Sequence, residues 1–148
     1  MHIARGSSFA FHALAHMALV PGGPSFGASE LAEAIGASPS YMAKLLQKLV
    51  HAGLVTSRRG AGGGFSLARP ATAITLDQII LAVSDAPADV PLLPSCATCR
   101  LADVCPITEA VRRAEESMEA QFRTLTVDVL AQLLRGPDGH TERMLRDA

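Results

Sequence analysis

The sequence predicts a mainly α-helical fold with a small β-hairpin wing: a winged helix-turn-helix followed by a long dimerisation helix. Three observations predict it. Two short amphipathic helix patterns are joined by Gly36-Ala37-Ser38. A hairpin pattern with a glycine-rich tip follows them directly. From Pro106 onward, Ile107, Val111, Ala114, Met118, Phe122 and Leu125 form one long stripe, with spacings that suit packing on a second long helix.

Residues 9–20 read as the first helix, with Phe11, Leu14, Ala15 and Ala18 inward and Ser7 or Ser8 as its cap. Pro21-Gly22-Gly23-Pro24 ends it. Ser29 is the expected cap of a second helix carrying Leu31, Ala32 and Ile35, and Gly36 is its left-handed stop. Ser38-Pro39 opens a third helix. Its serine can accept an orphan amide, and proline suits the first helical position. Met42, Leu45, Leu46 and Leu49 form the inward face, and Gly53 is the stop.

Residues 54–57 and 65–68 are the expected strands, joined by Arg58-Arg59-Gly60-Ala61-Gly62-Gly63-Gly64. Thr75 and Gln78 resemble a capping box for a fourth helix through Leu76, Ile79, Ile80 and Val83. Residues 85–105 lack periodicity and hold Pro87, Pro91 and Pro94, so a loop is expected. Thr126 caps a last short helix through Leu130 and Leu134. The domain reading is 1–84 for the winged helix, 85–105 for the loop, 106–135 for the long and terminal helices, and 136–148 for a polar tail. No internal repeat is visible.

The chain has 148 residues, nearly half of them hydrophobic and 18% charged. That excludes a disordered or acidic solvating segment. No apolar run reaches the ~18 residues of a membrane span, so no membrane partner is expected. Residues 9–20 are interrupted by two histidines and lack a small-x-small cleavage site, which argues against a signal peptide. A cytoplasmic location is expected. Residues 1–75 hold six Lys/Arg against two Asp/Glu, net +4. Residues 76–148 hold seven against twelve, net -5. A basic first half suits nucleic acid.

The third helix carries that expectation further. Ser40, Lys44, Gln47 and His51 lie opposite its leucines, with donors and positive charge and no carboxylate on that face. Residues near such a helix's N-terminus reach base edges in the major groove. Ser38, Ser40, Tyr41, Lys44 and Lys48 are the candidate contacts there, with Lys48 as a phosphate contact. Arg58 and Arg59 stand at the wing, where arginine can enter a narrow minor groove. No nucleophile–base pair or HExxH motif is present, and the glycine run lies between strands, the wrong context for a nucleotide loop. No enzyme is expected.

Cys96, Cys99 and Cys105 fall within ten residues. Three soft thiolates on one loop suit an iron–sulfur cluster, zinc or copper, and Cys105 precedes a helix start whose dipole favours anionic sulfur. Zinc with a fourth His or Asp and a Cys96–Cys99 redox disulfide fit the same spacing, as do three idle cysteines. Ser8, His12 and His16 share one face of the first helix.

Taken together, the sequence resembles the winged-helix iron–sulfur regulators, which include the regulator of cluster biogenesis and the nitric-oxide-sensing repressor. The resemblance rests on Leu54-Val55-Thr56-Ser57-Arg58-Arg59-Gly60-Ala61-Gly62-Gly63-Gly64-Phe65-Ser66-Leu67-Ala68-Arg69, on Ser38-Pro39-Ser40-Tyr41-Met42, on Ile74-Thr75-Leu76, and on Cys99-Arg100-Leu101 with Cys105. It spans about residues 1–134. It implies a homodimer with crossing long helices and a cluster near the dimer interface, [4Fe-4S] or [2Fe-2S]. It also implies a DNA affinity that depends on that cluster.

The sequence departs from the family in places. Cys96 and Cys99 are closer than the family's usual spacing, and Thr108 stands where some members carry a histidine. Ser8 replaces an acidic ligand on the first helix, while His12 remains as the fourth-ligand candidate from the partner chain. Ala43 replaces a glutamate on the third helix, so the DNA site of the cluster-biogenesis type does not transfer.

The expectation is a regulator, in the repressing sense, of double-stranded DNA with a near-palindromic operator, sensing nitric oxide, redox state or iron supply. Zinc or thiol–disulfide control without a cluster is the second reading, and a small electron-transfer protein the third.

Overall fold

The structure is a computed structural model that describes residues 3, 5–20, 22–60, 62–85 and 105–136. Among the described residues, six helices and one hairpin follow in order: α1 (Arg5–Leu19), α2 (Ala28–Ile35), α3 (Pro39–His51), β1 (Val55–Arg58), β2 (Gly64–Leu67), α4 (Leu76–Val83), α5 (Pro106–Thr124) and α6 (Val127–Arg135). A 3₁₀ turn, Ala71–Ala73, precedes α4.

α1 starts earlier than the apolar pattern implied, so neither Ser7 nor Ser8 caps it. Ser7 is a buried residue inside the helix, its Oγ without a hydrogen-bond partner. The buried side is also broader than the expected stripe. It holds Ala10, Ala13, Leu14, Ala15, Met17 and Leu19, while Phe11 and Ala18 are only half-buried. Gly6 falls in the first turn of α1, against α3. A Cβ there would lie 2.9 Å from the Tyr41 hydroxyl and 3.3 Å from Leu45 Cδ1, so glycine lets α1 and α3 approach closely.

Gly27, not Ser29, is the N-cap of α2. Its amide donates to Glu30 Oε2 at 3.1 Å, the carboxylate half of a capping box. The helix closes as expected on Gly36, at φ 71°, with Ala37 N–H donating to Ala32 O at 2.8 Å. Ser38 Oγ accepts from Tyr41 N–H at 3.3 Å, so the predicted cap of α3 is in place. Gly53, at φ 68°, ends that helix with Leu54 N–H bonded to Leu49 O.

β1 and β2 are antiparallel, with Val55 opposite Leu67 and Arg58 opposite Gly64, one residue away from the expected bounds. Phe26 adds a bridge to Phe65, with reciprocal backbone bonds of 2.8 and 2.9 Å. Thr75 N–H donates to Gln78 Oε1 at 3.2 Å at the start of α4. A second bridge pairs Thr75 with Thr126: Leu76 N–H bonds Leu125 O and Val127 N–H bonds Ile74 O. It ties the α5–α6 joint to the start of α4.

One core joins these pieces: Leu14 of α1, Leu31 of α2, Met42, Leu46 and Leu49 of α3, Leu54 and Val55 of the wing, Ile79 of α4 and Val127 of α6. Each buried Leu or Ile contributes about 1.5–3 kcal/mol by leaving water. α3, the wing and α1 are thus held as one unit.

Candidate nucleic-acid interface

α3 buries Met42, Leu45, Leu46 and Leu49, which leaves Ser40, Lys44, Gln47 and His51 exposed. The core fixes this orientation, since 3.6-residue periodicity sends the intervening side chains outward. Ser38 and Ser40 sit at the helix start, their hydroxyls 3.5 Å apart. Tyr41 is partly exposed, its ring packed edge-on against Phe9 of α1 with centroids 5.7 Å apart. Its position is therefore set by α1. His51 Nδ1 is 2.8 Å from Gln47 O, a carbonyl that can only accept, so Nε2 is left facing outward contacts.

Lys48 stands apart from this set. Its ammonium donates to Val83 O at 3.3 Å and to Asp85 Oδ1 at 2.5 Å. It is already paired, and it brings a carboxylate to a helix whose own sequence has none.

Arg58 and Arg59 are exposed at the end of β1, where the chain enters the hairpin turn. The tip needs glycine in several ways. Gly60 and Gly62 take φ of 101° and 78°. At Gly63 a Cβ would fall 2.4 Å from Arg58 O, and at Gly64 one would fall 2.7 Å from Phe26 O. The run thus turns at Gly60 and Gly62 by positive φ and packs too closely for a side chain at Gly63 and Gly64, beside the exposed arginines.

Of the cysteine set, Cys105 is described, and Cys96 and Cys99 lie outside the described residues. Cys105 is the N-cap of α5 and is half-buried. The Thr108 amide and hydroxyl, with the Ile107 amide, hold its thiol below the ordinary value. Amides at a helix start favour an anion, and thiolate is the form that binds metal. His12 is exposed on α1, with Nδ1 2.8 Å from Ser8 O. That bond places the proton on Nδ1 and leaves the Nε2 lone pair available, the arrangement usual in metal-binding histidine. His16 does not share this environment. It packs edge-on against Phe26 with centroids 5.4 Å apart, and burial lowers its pKa, partly offset by Glu30. Among the described residues, no three His, Cys, Asp or Glu side chains come together as a metal site.

Two features of this surface escaped sequence reasoning. Asp85 is a lone acid at the end of a helix pattern, and nothing local joins it to Lys48. Phe26 sits between Ser25 and Gly27 with no strand alternation around it. The Glu30 cap was detectable, as glutamate three residues after Gly27.

Comparison with known proteins agrees with this geometry. Residues 3–133 match the family model described as Rrf2, iron-dependent transcriptional regulator. The fold is similar to that of CymR (YrzC), the global cysteine regulator of B. subtilis, at 24% identity and TM-score 0.73, covering 90% of this chain and 98% of that one. T. potens IscR is similar at 26% identity and TM-score 0.66, covering 89% and 87%. The oxidized form of Staphylococcus aureus CymR is similar at 23% identity and TM-score 0.68, covering 88% and 96%. Together with the helix-turn-helix and its arginine-bearing wing, the match over 3–133 places the chain in the Rrf2 family, as a DNA-binding transcriptional regulator and not an enzyme.

Proposed function

We propose that the protein is a homodimeric repressor whose DNA affinity is set by an iron–sulfur cluster. Cys96, Cys99 and Cys105 would hold the cluster, and His12 of the partner chain would complete it. The observation that carries this reading is the place of Cys105: a thiol at the N-cap of α5, among groups that favour its anionic form. His12, with Nε2 available, supports the fourth ligand. A bound cluster would supply a centre open to attack by nitric oxide or oxidant, or to loss when iron is scarce.

On the DNA side, Ser38, Ser40, Tyr41 and Lys44 would enter the major groove, and Arg58 and Arg59 would reach the minor groove beside it. Because α1 and α3 share one core, a change at His12 would reach the reading helix through a few packed side chains.

A second reading keeps DNA binding and replaces the cluster by thiol chemistry. The same Cys105 environment favours it, since a stabilised thiolate is also a reactive one. Anaerobic purification followed by absorption spectroscopy and iron and sulfide counting tests the two. A brown protein with iron and acid-labile sulfide, whose operator affinity changes on cluster loss, supports the first reading. A colourless protein whose affinity changes with oxidant and recovers with thiol supports the second.

A further inference from the structure

We propose that Asp85 sets the strength of DNA binding by holding Lys48 in an internal ion pair that phosphate must displace. The inference rests on the DNA-binding role of α3. Lys48 lies one turn beyond Lys44 on α3, so the two ammonium groups belong to one stripe. Lys44 is exposed. Lys48 instead crosses to the C-terminal end of α4, donating to Val83 O at 3.3 Å and to Asp85 Oδ1 at 2.5 Å.

Two attractions act on that ammonium. The last carbonyls of α4 carry the negative end of the helix dipole, and Val83 O is one of them. Asp85 adds a full charge. Its side chain is 90% exposed while that of Lys48 is 37% exposed, so the carboxylate projects into solvent on the edge of the basic stripe. The pair costs the protein twice when DNA arrives. It neutralises one cation, and it leaves one anion where phosphates approach.

An exposed ion pair is weak and salt-screened. It tunes affinity without blocking binding. Each cation freed for phosphate steepens the salt dependence by about 0.9 in log–log slope. Asp85 also opens the stretch 85–105 that contains Cys96 and Cys99. The affinity-setting acid therefore adjoins the proposed sensing segment in sequence.

The test is a double-mutant cycle read by the binding of full-length protein to a random-sequence duplex across a salt series. Asp85→Asn should bind several-fold tighter at low salt, by at most about fivefold, with a slope steeper by about one. In a Lys48→Met background the same substitution should leave the slope unchanged and give only the smaller gain that comes from removing the anion. Thermal melting of each variant checks that it is folded. Wild-type protein that binds the duplex while Asp85→Asn binds it identically overturns the proposal and leaves the DNA reading standing. An equal gain in the Lys48→Met background also overturns it, since Asp85 would then act as a general charge. If no variant binds the duplex at any salt, the DNA-binding role of α3 fails and the proposal falls with it.

Discussion

His12 Nδ1 lies 2.8 Å from the Ser8 carbonyl oxygen, one turn earlier on α1. This bond orients the ring and leaves Nε2 to meet a partner. His12 also lines an apolar groove with Phe11, Ala15, Leu130, Leu133 and Leu134. His12→Ala is therefore expected to leave a folded protein with an altered cluster absorption spectrum and faster cluster loss. Unchanged spectrum, iron content and DNA response would remove His12 from the ligand set.

The wing arginines and the helix cation should separate in their effects. Arg59→Ala is expected to cost about 1–3 kcal/mol on the specific operator and much less on random duplex, as groove reading implies. Lys44→Ala should weaken both and lower the salt slope by about one. Fluorescence anisotropy with both duplexes across salt checks this. Equal losses for Arg59→Ala on the two duplexes would make it a phosphate contact.

The glycines at the wing tip are not equivalent. Gly64 has φ 153°, and a Cβ there would strike Phe26 O at 2.7 Å, the atom that pairs with Phe65 N–H. Gly64→Ala should cost about 1–3 kcal/mol from strain alone, with the Phe26 bridge lost. Gly62 has φ 78° with open space around it, so Gly62→Ala should cost only about 1–2 kcal/mol. Urea midpoints of the two variants give the comparison, and a larger loss at Gly62 would contradict it.

Stability should also fall in mild acid through His16. Burial beside Phe26 lowers its pKa in the folded protein, with Glu30 opposing. The unfolded chain then takes up the proton first, from about pH 6.5 downward. The contribution is therefore whole above that pH and is lost progressively as pH falls through the folded value. Urea unfolding at about pH 7.5 and about pH 5.5 should show a smaller drop for His16→Gln than for wild type. Equal drops would assign the acid sensitivity to other groups.

Much of the reading surface was legible because its signals are local. Ser38-Pro39, Gly36 and Gly53 each act within one turn of the helix they bound, and the leucine spacing of α3 dictates which face is free. The start of α1 was not legible. Gly6 and Ser7 look like a helix boundary, yet Gly6 is there for the approach of Tyr41 and Leu45, residues far along the chain. The Phe26 bridge was hidden for the same reason, since its partner is set by β2. Lys48 read as a free cation because its acceptors lie at the end of α4 and just beyond it, 35 and 37 residues away. For the cluster, sequence located the thiols and structure adds the surroundings of Cys105 alone among them.

A second copy of the chain is expected to cover α5. At ~1.5 Å per residue this helix is about 28 Å long, yet none of its residues is buried. Ile107 is 70% exposed, and Val111, Met118 and Phe122 continue its apolar side only half-covered. Its outer side is well solvated, with Arg112 paired to Glu109 and Glu116, and Arg113 to Glu109. Covering an exposed isoleucine contributes about 1.5–3 kcal/mol, and a two-fold interface counts each residue twice. Ile107→Glu should therefore shift a dimer to monomer in sedimentation while the far-ultraviolet circular dichroism stays helical. The two reading helices would then lose their fixed separation. Affinity for a near-palindrome with half-sites about 34 Å apart should fall toward that for one half-site. A wild-type protein that sediments as a monomer and protects one unrepeated half-site would overturn the dimer, and an Ile107→Glu protein that remains dimeric would move the interface off this stripe.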